Sequence, residues 1–338
     1  MRALILEGPD DLRLRDVPRP EPGPGEVVVR VAAALTCATD RKMMARGHHP
    51  ALPPTPCPFG HECAGHVHAV GPGVAGWRPG DRVTMANSAP CGACAFCAAG
   101  RAGLCTGLVY LTGAFAEFIR VPAPIVRTNL MAVPDDMPLP LAAMVEPVAC
   151  GVRAVHRSAA APGDPVLVLG GGLQGQAITA ALAARGCDVV VCDPHGSRRE
   201  LALRMGARAA HPVPGDPEAE RRMSEGCGPI GPRAVFCAVG ALPAWESAVR
   251  MAGPGGEVNL HGGPPPGGVL HADADRLHYS EITLQASYHH DPRAVRDAFA
   301  LLRDGGRPFE ALLAGRVGLE DVPQLLRTSR DKHIVIPG

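Results

Sequence analysis

The sequence has no apolar run approaching the ~20 residues that a membrane-crossing helix requires. Its N-terminus, MRALILEGPDD, carries only a short apolar run before Glu7. It lacks the longer apolar core and small-residue cleavage site of a secretory signal. There is no excess of charge of either sign: Lys+Arg 33 balance Asp+Glu 33. A general binder of nucleic acid or of membrane surfaces would show such an excess, so neither class is favoured. Aromatic residues are scarce at 4%, and no internal repeat or low-complexity tract is present. These absences lead to the expectation of a cytoplasmic protein with no nucleic-acid and no membrane partner.

At 338 residues, 46% hydrophobic and 20% charged, the chain exceeds one typical core and predicts two globular domains. Gly 41 and Pro 36 imply many turns and close backbone approaches. Twelve cysteines in a reducing compartment argue against a disulfide framework. Clustered ones are better read as metal ligands, and scattered ones (Cys187, Cys192, Cys227) as small buried residues.

Up to about residue 150 the texture is irregular and mainly β. GEVVVRVAAAL, GHVHAV and GAFAEFIRV read as strands, and GPGVAGWRPGDRVT as a turn-rich link into another. From residue 151 strands and helices alternate. PVLVLGG is a short buried strand, LQGQAITAALAARG a helix ending at Gly186, and CDVVVCD a second strand. SRRELALRMGA, RAVFCAVG, WESAVRMAGPGG, EVNLHGG and EITLQASY continue the pattern. This β-α-β texture predicts a parallel sheet covered by helices, so the class is α/β. The tail adds two helices and a last strand.

VLVLGGGLQGQ contains G-x-G-x-x-G as Gly170, Gly172 and Gly175, with Leu173 and Gln174 between the second and third glycines. The first Gly permits a tight turn, the second lets backbone approach a pyrophosphate, and the third lets helix pack on strand. Asp193 ends the next strand, where an acid is expected to bind the adenosine ribose diol. A lone glycine triplet is weak, but strand, triplet, helix, strand and acid in order make a dinucleotide site. Asp193 favours NAD, because a carboxylate repels a 2′-phosphate. Arg198 and Arg199, just beyond it, leave NADP open: they can cradle a phosphate, stack on adenine or face solvent.

Cys91, Cys94, Cys97 and Cys105 fall at C-x2-C-x2-C-x7-C on one loop. Four thiolates close a tetrahedral zinc shell, which makes such a site structural; an iron–sulfur cluster is the alternative. A second set is dispersed: Cys37, Thr39 and Asp40 in LTCATD, His61 and Glu62 in FGHECAG, and Glu146 in VEPVAC. Singly each is unremarkable. Together they supply a thiolate, an imidazole and carboxylates, the donor types of an open zinc site.

In order along the chain, GEVVVRV, CATD, GHECAG, VGPGV, GDRV, the four-cysteine loop, GAFAEF, EPVACGVRAV, PGDPVLVLGGGLQG and Asp193 resemble the zinc-dependent medium-chain dehydrogenase/reductase family, especially its polyol and threonine dehydrogenase branches. The resemblance spans essentially the whole chain. It implies a GroES-like irregular β catalytic domain over 1–150 and 290–338 and a Rossmann dinucleotide domain over 151–289, with the active site in the cleft between them. It implies two zincs per chain. The catalytic one is held by Cys37 and His61 with Glu62 and Glu146 as carboxylate partners, and Cys150 is the alternative ligand; the structural one is held by the four-cysteine loop. It further implies reversible oxidation of an alcohol with hydride transfer to NAD or NADP. Thr39 stands at the relay hydroxyl, and Lys42 where many relatives place a relay His. Ala38 replaces the usual Gly. Tyr110, Tyr288 and His289 fall near substrate positions, with Met43, Met44 and Phe59 as apolar wall or core. A polyol, sugar or (amino)cyclitol is the expected substrate; a simple alcohol or a threonine-like amino alcohol is the alternative. A dinucleotide sensor on the same fold would lack the Cys37, His61 and Glu146 set, which is present. A homodimer or homotetramer is expected, through a sheet edge formed by EVNLHGG and EITLQASY.

Overall fold

The computed structural model describes residues 1–49, 52–304 and 306–338. The chain forms two units: Met1–Glu146 with Asp291–Arg303 and Phe309–Gly338, and Pro147–His290 with Asp304–Pro308.

The first unit is built around a mixed sheet of seven strands. Its order is Leu130–Ala132, Arg82–Met85, Cys63–Val70, Val27–Leu35, Lys332–Val335 and Leu313–Val317, with Phe118–Val121 also paired to Val27–Leu35. Strand Val27–Leu35 is central because its run of Val and Ala is buried almost throughout. Such a run needs apolar cover on both faces. Leu4 and Leu6, from a hairpin of Arg2–Gly8 and Asp11–Asp16, supply part of it, with Phe59, Phe115, Ile119 and Met85. The last strand pairs Ile334 with Leu35. That pairing carries Lys332 to the sheet end where Thr36 and Cys37 leave the central strand. The segment GAFAEFIRV is less regular than its alternation suggests: the strand is Phe118–Val121, and Ala116 makes only an isolated bridge to Ala3.

The second unit is a six-stranded, wholly parallel sheet. Its order is Ala209–His211, Asp188–Cys192, Pro165–Leu169, Ala234–Cys237, Glu257–Leu260 and Thr283–Ala286. This is a Rossmann-type sheet. The central strands Pro165–Leu169 and Ala234–Cys237 read as continuous apolar runs because helices lie on both faces. Val166, Val168, Val189, Val191 and Phe236 pack on one side and Leu167, Leu169, Val190, Val235 and Val258 on the other. Helix Leu173–Ala184 follows the first strand, and Gly186 ends it with φ +86. Thr283–Ala286 is an edge strand of this sheet, opposite Ala209–His211, whereas Glu257–Leu260 is an inner, buried strand, so of the two expected edge segments only EITLQASY lies at an edge.

Candidate active site

The central strand Val27–Leu35 of the first unit turns into helix Ala38–Arg46 at Cys37. Cys37 is the helix N-cap: its N–H donates to Asp40 Oδ2 at 2.9 Å, and its sulfur accepts the Thr39 N–H at 3.4 Å. C-A-T-D is therefore a reciprocal capping box with sulfur in place of the usual hydroxyl. Ala38 opens the helix in an exposed position, so its Cβ crowds nothing.

His61 and Glu62 precede the adjoining strand, Cys63–Val70. Donor atoms of Cys37, His61 and Glu62 all lie within 4.8 Å of one another. His61 is buried, with Nδ1 2.9 Å from Oδ1 of the fully buried Asp40. A carboxylate behind Nδ1 fixes the ring and leaves Nε2 as the ligating atom. Burial opposes the imidazolium, but Asp40 and Cys37 outweigh it and hold the His61 pKa well above its ordinary value. Glu62 is fully buried. Its Oε2 pairs with Lys332 Nζ, and its Oε1 has no hydrogen-bond partner. An orphaned carboxylate oxygen is costly unless a cation meets it. Thiolate, imidazole and carboxylate donors so placed fit an open zinc site. Burial works against the Lys332 ammonium, but Glu62, Cys37 and Asp40 raise its pKa.

Glu146 stands outside the 4.8 Å set, in the first turn of helix Val145–His156. It is buried close enough to feel His61, Glu62, Lys332 and Asp40. Burial is the leading cause that pushes its carboxyl up to about 7. Cys150 lies one turn further along the same helix, and its sulfur is within 4.8 Å of a His289 ring nitrogen.

The four-cysteine loop gathers its sulfurs. Cys94 Sγ lies 3.6 Å from Cys97 Sγ and 3.7 Å from Cys105 Sγ, and Cys105 Sγ lies 3.4 Å from Cys91 Sγ. A zinc tetrahedron with bonds of about 2.3 Å has edges of about 3.8 Å. Backbone amides of Cys91, Cys94 and Gly107 donate to these sulfurs at 3.2–3.4 Å, as thiolates require. Amide donors from Cys97 and Thr106 bring Cys94 down to about 5. The set fits a closed, four-thiolate zinc.

In the second unit the glycine triplet forms the turn between strand Pro165–Leu169 and helix Leu173–Ala184. Gly170 has φ +96, and a Cβ on Gly175 would meet Gly170 O at 1.7 Å. A Cβ on Gly172 would meet nothing within 4 Å, so open space lies where a pyrophosphate approaches. Gln176 braces the turn from behind, donating to Gly171 O and Arg198 O. Asp193 Oδ2 accepts the Gly171 N–H and Oδ1 the His195 N–H, both at 2.8 Å; Arg198 lies 3.7 Å away. Burial would raise this carboxyl, yet the amide donors and Arg198 hold it below its usual range. Arg199 is committed to the carbonyls of Asp193 and Pro194.

Residues 23–135 match the alcohol dehydrogenase GroES-like domain, and residues 175–307 the zinc-binding dehydrogenase domain. The chain is 32% identical to the L-threonine 3-dehydrogenase of Streptomyces avermitilis over 334 residues, covering 95% of this chain and 94% of that one. The chain belongs to the zinc-binding medium-chain dehydrogenase family. It is also 32% identical to the 2-dehydro-3-deoxy-L-galactonate 5-dehydrogenase of Pseudoalteromonas atlantica, over 89% of this chain and 87% of that one. A zinc-binding dehydrogenase of Sinorhizobium meliloti 1021, solved bound to NADP, superposes with TM-score 0.89 at 29% identity and 99% coverage of both chains. The protein is thus an NAD(P)-dependent zinc dehydrogenase of alcohol or polyol type.

In this dehydrogenase a small pocket beside His61 is lined by Met43, Leu52, Asn87, Tyr110, Leu111 and Thr112. Tyr110 therefore lines the same pocket as His61. Met44 and Phe59 are core residues. Thr39 is half-buried next to Cys37, whereas Lys42 is exposed on the helix. Tyr288 is 64% exposed; His289, at φ +61, stacks 4.1 Å from His290. Sequence reading missed Asn87, Lys332 and His261. Asn87 lies four residues before Cys91 and had no motif of its own. Lys332 is 270 residues from Glu62 and carried no local signal.

Proposed function

We propose that this dehydrogenase interconverts a secondary alcohol of a hydroxyl-rich small molecule, a polyol, sugar acid or cyclitol, with its ketone. The observation that carries the reading is the pocket beside His61. Asn87, Tyr110 and Thr112 line it together with His61, which shares the 4.8 Å donor set with Cys37 and Glu62, while Met43, Leu52 and Leu111 form an apolar side. Polar groups in such a pocket reject analogues that lack the matching hydroxyls. When bound, zinc supplies Lewis acidity toward the reacting oxygen, and the nicotinamide accepts the hydride.

The chain's own residues do the rest. Cys37, His61 and Glu62 hold the metal, with Glu146 as a further carboxylate. Asp40 fixes the imidazole, and Lys332 pairs with Glu62 inside the core. Thr39, next to Cys37 at the helix start, accepts the alcohol proton as its own hydroxyl proton passes on to water, with Lys42 at the exposed exit. The four cysteines hold a second, structural zinc that orders a loop with little apolar content. Gly170, Gly172, Leu173, Gln174 and Gly175 receive the pyrophosphate. Asp193 favours NAD over NADP, with Arg198 beside the adenosine. Tyr110, Tyr288 and His289 contact substrate.

An amino alcohol is the second reading, favoured by the whole-length similarity to a threonine dehydrogenase. A panel of polyols, sugar acids, cyclitols and amino alcohols, followed by NADH absorbance, separates the two. Turnover confined to simple apolar alcohols would sink both. The exposed edge strand Thr283–Ala286 supports pairing with a second copy, and light scattering that found only monomer would refute it.

A further inference from the structure

The glycine turn carries a polar side chain that its motif does not require. Gln174 lies between Gly172 and Gly175 in the first turn of helix Leu173–Ala184. Its Nε2 donates to Pro147 O at 3.0 Å. That bond fixes the amide and aims Oε1 at His261 Nε2, 3.0 Å away. His261 Nδ1 lies 2.8 Å from Ser287 Oγ. Ser287 Oγ donates to Asn259 Oδ1 at 2.8 Å, and Asn259 Nδ2 donates to Ala154 O at 3.2 Å. Four side chains thus form one line, anchored at each end on a backbone carbonyl.

The protons in this line can be counted. Its three internal links each need one hydrogen. The Ser287 hydroxyl provides one and a neutral imidazole provides one. An imidazolium would provide the third, but burial brings His261 down to about 4, so the ring is neutral at neutral pH. The line is one donor short. A ligand group that meets it favourably brings an N–H or O–H rather than an acceptor.

The sheet says which part of a dinucleotide lies there. In an open parallel sheet the ligand binds across the C-terminal strand ends. Asp193 follows strand Asp188–Cys192 and marks the adenosine side. The strand order runs from there through Pro165–Leu169 and Ala234–Cys237 to Glu257–Leu260, three spacings or about 14 Å. A pyrophosphate on the glycine turn, with adenosine toward Asp193, sends the other half over Glu257–Leu260 and Thr283–Ala286. His261 and Ser287 stand at the C-terminal ends of those two strands. The amide donor of that half is the nicotinamide carboxamide.

We propose that Gln174 Oε1 accepts the carboxamide N–H of the nicotinamide and that His261 is the positioning residue that holds Gln174 for it. This rests on the reading of Gly170–Gly175 as the dinucleotide turn. Three ligands separate the possibilities when titrated calorimetrically into the full-length, zinc-loaded protein: NAD+, its 3-acetylpyridine analogue, which has no amide N–H, and ADP-ribose, which has no nicotinamide. The wild type binds NAD+ on the order of tenfold tighter than the analogue, the worth of one hydrogen bond. His261→Leu and Gln174→Leu bring that ratio to about one, and His261→Leu, outside the pyrophosphate turn, leaves ADP-ribose affinity unchanged. His261→Gln, which keeps a donor toward Gln174, retains part of the preference. A ratio unchanged in both Leu variants overturns the proposal. So does a parallel loss of ADP-ribose affinity in His261→Leu, which assigns the line to folding alone. If His261→Leu does not fold, Gln174→Leu, at a half-buried position, carries the test. Failure of the wild type to bind ADP-ribose instead overturns the dinucleotide turn itself.

Discussion

With no metal at Cys37, His61 and Glu62, replacing Lys332 by Met leaves the Glu62 carboxylate buried without a counter-ion. The side chains of Lys332 and Glu62 are 10% and 0% exposed, so solvent screening does little for either. Breaking a buried pair by removing one partner costs about 3–5 kcal/mol, because the remaining charge stays in low dielectric. Lys332 Nζ also donates to Thr36 O at 2.9 Å, and that carbonyl loses its partner too. With a urea slope of about 2–3 kcal/mol per M for a unit of this size, the midpoint falls by about 1–2 M. Trp77 packs on the same core, so its fluorescence reports this unit once Trp245, in the other unit, is changed to Phe. Adding Glu62→Gln to Lys332→Met recovers most of the loss, since a neutral amide needs no cation. A shift below about 0.3 M, or a double variant no more stable than the single one, refutes the reasoning.

Cys97→Ser opens the sulfur cluster, so zinc content falls by about one per chain and amides in 91–107 exchange faster; unchanged zinc would remove Cys97 from the site. Gly175→Ala drives a Cβ to 1.7 Å from Gly170 O, and ADP-ribose binding is expected to vanish while the first unit keeps its zinc. Arg250 holds Glu220 through Nε at 2.6 Å and Nη2 at 2.9 Å. Although burial alone would raise the Glu220 carboxyl, Arg250 and Ser247 depress it. Its contribution is therefore full above the unfolded carboxylate pKa and lost as pH falls through the depressed folded value. Arg250→Ala costs about 1 kcal/mol at neutral pH, discounted because Arg250 is partly exposed, and a smaller loss of stability on acidification follows. Equal acid sensitivity of variant and wild type counts against that pairing.

What the sequence made legible was what short-range chemistry dictates. The glycine triplet and the four-cysteine spacing each lie within one turn or loop, so backbone geometry alone binds residue type to position. The same holds for Cys37 and Asp40, whose capping box closes within three residues. The alternation after residue 151 was readable because the central strands of the parallel sheet, PVLVL, DVVVC and AVFC, are short runs dominated by apolar residues. Lys332 was not readable: a Lys in a terminal strand looks solvated until pairing of Ile334 with Leu35 brings it beside Glu62. His261 was equally hidden, because its partners Gln174 and Ser287 lie 87 and 26 residues away. The mistaken edge role of EVNLHGG has the same origin. Strand order is a tertiary property, and nothing local tells an inner strand from its neighbour at the rim.

The proposed function requires an open metal site of Cys37, His61 and Glu62 to perform the alcohol chemistry, with no part for the four-cysteine site. Graded chelation of the purified protein, with zinc content and NAD(P)+ reduction followed on the same samples, tests it most directly. Activity should disappear with loss of about one zinc, while the closed thiolate site retains about one more; added zinc should restore activity in the wild type but not in His61→Ala. Full activity after the first zinc has left, or in His61→Ala, would contradict it.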